Sequence, residues 1–102
     1  MTYNIRFSGQ ADQHVAALTA RQRARLLDRI GRQLRDQPTV QTRNRKPMDP
    51  DKEMLIAPWE LRVGELRVYY AVEEEPEPAV VIVAVGVKGR ERLSIGGKDV
   101  EP

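Results

Sequence analysis

Apolar and polar residues alternate in Tyr3-Asn4-Ile5-Arg6-Phe7, the period of a half-buried strand. Ser8 then stands where an N-cap belongs. A short helix is expected over roughly Gly9 to Leu18, with Ala11, Val15 and Leu18 on one face and Asp12 favourably placed in the first turn. Thr19-Ala20-Arg21-Gln22 has capping-box spacing and opens a second helix, in which Leu27, Ile30 and Leu34 recur at three and four residues beside Ala24 and Leu26. Arg21, Arg23, Arg25, Arg29, Arg32 and Arg35 take its remaining surface, and Pro38 ends it. The short link between the helices predicts an antiparallel pair. From Gln37 to Glu53 no period is visible. Three prolines and the run Thr42-Arg43-Asn44-Arg45-Lys46 read as one exposed loop.

A hairpin follows, starting near Met54 or Leu55 and turning over Gly64-Glu65. A two-residue turn sets Val63 opposite Leu66, Arg62 opposite Arg67, Leu61 opposite Val68, Glu60 opposite Tyr69 and Trp59 opposite Tyr70. Trp59, Leu61, Val63, Leu66, Val68, Tyr70 and Val72 then share one face, and Glu60, Arg62, Arg67 and Tyr69 the other. Two arginines directly opposed repel, which serves no fold but suits a polyanion. Glu73 to Pro78 makes an acidic, proline-rich turn. Ala79 to Val87 is apolar at every position, as in a strand covered on both faces, and is the expected centre of the sheet. Lys88-Gly89-Arg90-Glu91-Arg92 leaves its end, Leu93-Ser94-Ile95 closes the fold, and Gly96-Gly97 begins a polar tail. The first strand is expected at or near the sheet edge.

The fold class is therefore α+β: an N-terminal strand, the helix pair, then a three-stranded antiparallel meander in one small sheet. A chain of 102 residues supports one domain, spanning 1–102 with residues 96–102 as the tail. The composition, 40% hydrophobic and 31% charged, is that of a soluble protein. There is no apolar run long enough for a membrane span and no signal pattern, so the expected location is cytoplasmic, with no membrane partner. The absence of cysteine excludes disulfides and thiolate chemistry, and the single His14 excludes a two-histidine metal site. Neither a metal nor another cofactor is expected. Net charge is only +2, but its distribution is uneven. Basic residues crowd Arg21 to Lys52, which suits an anionic partner.

The helix pair, Trp59-Glu60-Leu61-Arg62-Val63-Gly64, Leu66-Arg67-Val68-Tyr69-Tyr70, the apolar last strand and the basic Lys88 to Arg92 together resemble the RelE/ParE superfamily. These are toxins of type II toxin–antitoxin modules, and the resemblance runs from Tyr3 to about Glu101. It implies a cognate antitoxin as partner. RelE-like members cut mRNA on the ribosome without a metal, using the RNA's own 2′-hydroxyl, whereas ParE-like members share the fold and inhibit DNA gyrase. A non-toxic relative that only binds an antitoxin is a third reading. Carried over by residue, Arg67 matches the hairpin arginine of the nucleases and Arg90 the arginine past the last strand. Arg62 falls where those enzymes place a lysine, and Glu60 replaces a second one. No aromatic follows Tyr70, so their C-terminal tyrosine has no counterpart and the proton-transfer residues stay unassigned.

Cleavage by a 2′-hydroxyl needs a base, donors for the phosphorane's added charge and an acid for the leaving oxygen. Arginine suits only the second role, because its fork donates bidentately and never gives up its proton. Arg62, Arg67 and Arg90 are thus expected to bind phosphate. Glu60 reads as an ion-pair partner of Arg62 or Arg67 or as a general base, and Tyr69 as a half-exposed strand aromatic, a proton donor or a stacking surface. Arg43, Arg45 and Lys46 in the loop, with Lys88 and Arg92 flanking Arg90, are candidate RNA-backbone contacts. His14 is expected to be structural or exposed.

Overall fold

The computed structural model describes residues 2–48, 57–89, 93–95 and 98–100, the last three by backbone alone. The sequence reading of the early elements holds. Strand β1 covers Asn4–Phe7, helix α1 Gly9–Ala16 and helix α2 Ala20–Leu34. Ser8 caps α1, its hydroxyl accepting from the Ala11 N–H at 3.0 Å. Thr19 and Gln22 exchange both bonds of the capping box, at 3.0 and 3.1 Å. A cap of this kind contributes about 1 kcal/mol.

The expected face of α2 needs one correction. Leu26, Ile30 and Leu34, spaced by four, are buried, whereas Leu27 is 45% exposed. Both Leu26 and Leu27 fit a helical period, and the sequence does not say which one the sheet meets. Arg23 also leaves the solvated surface, donating to the carbonyls of Val15, Ala16 and Leu18 at 3.2–3.4 Å. It satisfies carbonyls that the end of α1 leaves free.

The sheet is larger than a three-stranded meander. Strands β2 (Arg45–Pro47), β3 (Trp59–Val63), β4 (Leu66–Glu73), β5 (Ala79–Lys88), β6 (Leu93–Ile95) and β7 (Lys98–Val100) run in spatial order, each antiparallel to the next, while β1 pairs parallel with β5. Seven strands of mixed direction result among the described residues. Two expectations are corrected here. Part of the supposed exposed loop is β2, and part of the supposed tail is β7. The expected start of the hairpin at Met54 or Leu55 lies outside the described residues. The placement of β5 at the centre and of β1 at an edge is as expected, since β5 has partners on both sides and β1 pairs only with β5.

The main core lies between the helices and the sheet, where Leu26, Ile30 and Leu34 meet Leu61, Val63, Leu66, Val68, Tyr70, Val80, Ile82 and Val85. Trp59 stacks on Tyr70 with ring centroids 6.3 Å apart, and the buried Tyr70 hydroxyl donates to the Pro38 carbonyl at 2.5 Å. A smaller cluster of Ala57, Tyr69, Ala84, Leu93 and Ile95 covers the opposite face. Between Tyr69 and Tyr70 the register slips, leaving Val83 as an extra residue in β5. This bulge puts Val83 and Ala84 together on the second cluster.

Along its outer side β5 is covered by β1 at Ala79–Ile82 and by β6 at Gly86–Lys88. Among the described residues no strand covers the interval between, and Ser8 and α1 supply the missing bonds. Ser8 Oγ donates to the Val83 carbonyl at 3.0 Å, and the Val85 N–H donates to His14 Nδ1 at 3.1 Å. His14 is buried and therefore structural, one of the two roles expected for it.

Two predictions follow from this packing. A Cβ at Gly86 would lie 2.8 Å from the Ser94 carbonyl oxygen and 2.9 Å from Ile95 Cγ1. Gly86→Ala should therefore cost about 1–3 kcal/mol in denaturant unfolding, as β6 is pushed outward. For His14, burial lowers the pKa below its ordinary 6.5. The unfolded chain then binds a proton that the folded chain refuses, so this contribution is complete above the unfolded value and is lost as pH falls below it. Thermal melts between about pH 8 and pH 5 should show the loss, and His14→Phe should lower stability while flattening that slope.

Candidate functional site

In a hairpin with a two-residue turn, Val63 and Leu66 form the first hydrogen-bonded pair, so Arg62/Arg67 and Glu60/Tyr69 are non-hydrogen-bonded pairs with closer side chains. The expected register is present in full. The Arg62 N–H points away from β4 and donates to the Asn44 carbonyl at 2.7 Å, as this phase requires. Gly64 takes φ 58°, a left-handed value at the first turn position that glycine adopts without strain.

On the face away from the helices, Glu60 is the centre. Its side chain is only 10% exposed, and one carboxylate oxygen, Oε1, lies 3.0 Å from Arg62 Nε and 3.9 Å from Lys46 Nζ. Lys46 reaches it because β2 pairs with β3 in a register that sets Lys46 opposite Glu60. Tyr69, opposite Glu60 on the other side, is 2% exposed and not the half-exposed aromatic of the sequence reading. Burial first, then the Glu60 charge and a hydrogen bond to Glu60, push its pKa up to about 12, against the pull of Arg67 and Arg62. Its hydroxyl therefore keeps its proton at neutral pH.

Arg67 turns the other way. Its Nη1 donates to the carbonyls of Gly64 at 2.7 Å and Leu66 at 2.9 Å. The repulsion expected of two opposed arginines is thus relieved by separation, Arg62 reaching toward Glu60 and Arg67 toward the turn. Each keeps donors unused among the described residues: both Nη groups of Arg62, and Nε and Nη2 of Arg67. Both arginines thus keep donors for an oxyanion, Arg62 beside the buried carboxylate and Arg67 beside the turn.

The other sequence candidates divide. Lys88 is exposed at the end of β5, and its N–H donates to the Glu65 carbonyl at 2.7 Å, which sets it beside the hairpin turn. Arg43 is exposed in the loop before β2 and belongs to no cluster. Arg45 is corrected from a candidate RNA contact to a structural residue. It is 5% exposed, and its Nη1 donates to the Gln33 carbonyl at 2.5 Å and to the Gln37 carbonyl, fastening the end of α2 to β2. Arg90 and Arg92 lie outside the described residues. What the sequence reading missed is that Lys46 joins the Glu60 cluster, because a three-residue strand leaves no period to read.

Comparison with protein-family models and with curated proteins finds no match. Among solved structures, a chain of the toxin–antitoxin complex RelBE2 from Mycobacterium tuberculosis is similar, with a TM-score of 0.67 and 24% identity over 86% of this chain and 100% of that one. The two chains share a fold. That shared fold accords with the α+β class expected from the sequence. Among the described residues no helix is long and apolar enough to cross a membrane.

The Glu60–Tyr69 contact is testable directly. In Glu60→Gln the Tyr69 hydroxyl should titrate below its value of about 12 yet above the ordinary 10, because burial is the larger cause. Ultraviolet difference titration should show one tyrosine shifting while Tyr3 and Tyr70 stay in place.

Proposed function

We propose that this chain is a toxin of a toxin–antitoxin pair acting as a metal-independent endoribonuclease on mRNA at the ribosome. The observation that carries the reading is the Glu60 cluster: a buried carboxylate, two arginines with unused donors, a lysine and a tyrosine on one sheet face. The shared fold with a chain of a toxin–antitoxin complex supports the antitoxin as partner.

In this reading the RNA backbone crosses β3 and β4 with the scissile phosphate between Arg62 and Arg67. Glu60 accepts the 2′-hydroxyl proton as that oxygen attacks phosphorus, with Tyr69 opposite it on β4. The free guanidinium donors of Arg62 and Arg67 hold the non-bridging oxygens as their charge grows. When the bond from phosphorus to the 5′-oxygen breaks, that oxygen takes a proton from an acid that this reading leaves unassigned, while Lys46 contacts the RNA backbone. Lys88 extends the contact along the backbone, as does Arg43 toward the ribosomal RNA.

Arg67→Ala and Arg62→Ala should each lower cleavage of ribosome-bound mRNA about hundredfold or more, with the melting temperature little changed and antitoxin binding intact. Expression in cells should stop translation before it disturbs DNA supercoiling. Supercoiling failing first, with translation spared, would replace the nuclease reading by gyrase inhibition. Toxicity that survives both arginine changes would remove the proposed active centre.

A further inference from the structure

Helix α2 is fastened to the sheet edge at two points. Near its start Arg25 forms an ion pair with Glu65 of the hairpin turn, and past its end Arg45 of β2 donates to the Gln33 and Gln37 carbonyls. Between these clasps helix and edge do not close, and a cavity of about 280 Å3 remains. Its floor is Leu61 and Val63 of β3, its helix wall is Arg25, Arg29 and Gln33, and its far wall is Asn44 with Arg62. The helix residues recur every four positions, so they form one stripe beside the buried Leu26–Ile30–Leu34 stripe.

The lining has one sign. Three arginines and two amides border the cavity, and no carboxylate does among the described residues. Arg25 spends Nη2 on Glu65 and Arg62 spends Nε on Glu60, while the side chains of Arg29, Gln33 and Asn44 have no partner among the described residues. Three guanidinium groups around one concavity repel each other and focus a positive potential into it. An anion relieves both effects.

We propose that this cavity is a binding site for a phosphate group, sharing only Arg62 with the Glu60 cluster. Donors enter it from two walls and so from different directions. A carboxylate, with two coplanar oxygens, is satisfied by a single arginine fork, whereas a tetrahedral phosphate accepts from several directions at once. The space beyond one phosphate admits the ester group that carries it, either a free nucleotide or the backbone of a nucleic acid. The site does not rest on the endonuclease reading, since of its polar lining only Arg62 takes part in that chemistry and Arg25, Arg29, Gln33 and Asn44 do not.

Calorimetric titration with three probes tests it: inorganic phosphate, adenosine 5′-monophosphate and a short single-stranded DNA. Arg29→Ala is the test variant. Arg21→Ala, on α2 but outside the cavity, is the control. Arg29 is exposed and unpartnered, so its loss leaves folding intact, which a thermal melt verifies. Phosphate should bind saturably, weaken about tenfold in Arg29→Ala and stay unchanged in Arg21→Ala. Tighter Arg29-dependent binding of the mononucleotide than of the DNA assigns a free nucleotide, and the reverse assigns a backbone phosphate. Absence of saturable binding by all three probes, or equal losses in the two variants, overturns the proposal.

Discussion

Two arginines held opposite each other in a hairpin are the constraint on which the rest of this structure turns. The two-residue turn over Gly64-Glu65 fixes Arg62 against Arg67 at a close, non-hydrogen-bonded position, so two like charges leave the backbone side by side. The fold accommodates it by separating the two guanidinium groups. Glu60 draws one along the strand, and the carbonyls of the turn draw the other back. Both partners are built into the same hairpin, so the register that creates the conflict also relieves it. The relief leaves donors of both arginines free among the described residues.

That surface is held in place by features remote from it. The bulge at Val83 and the glycine at Gly86 let β6 close over Tyr69, which buries the tyrosine hydroxyl against Glu60. Behind the sheet, α1 repairs an interruption in the outer edge of β5 with one hydroxyl and one imidazole. Arg45 and the Arg25–Glu65 pair tie α2 to the other edge. Arginine therefore does three kinds of work here. Buried, it satisfies carbonyls at a helix end; paired, it joins elements; with donors left over, it offers a place for an anion.

Much of this was legible from local rules. The hairpin register needed only a glycine turn flanked by alternating residues, and the helix starts needed only Ser8 and the Thr19–Gln22 box. What stayed hidden depends on contacts between distant segments. A three-residue strand such as β2 has no period, and it exists because Lys46 and Pro47 meet the edge that Glu60 and Trp59 present. Arg45 looks like any loop cation until the helix end it serves is known. Leu26 and Leu27 are equivalent on a helical wheel, and only the position of the sheet separates them. Tyr69 read as half-exposed because the residues that bury it, Leu93 and Ile95, come from a segment too short to register as more than a closing strand. The site's composition was thus visible in the hairpin, while its third strand and its burial were not.

The most direct measurement is nuclear magnetic resonance mapping of the protein with a single-stranded RNA whose 2′-hydroxyls are methylated, so that it binds but cannot be cut. The amides of Lys46, Glu60, Arg62, Arg67 and Tyr69 should move together and saturate at one RNA concentration. Shifts confined to the outer face of α2, or none at the β3–β4 hairpin, would mean that the sheet face does not receive the RNA backbone.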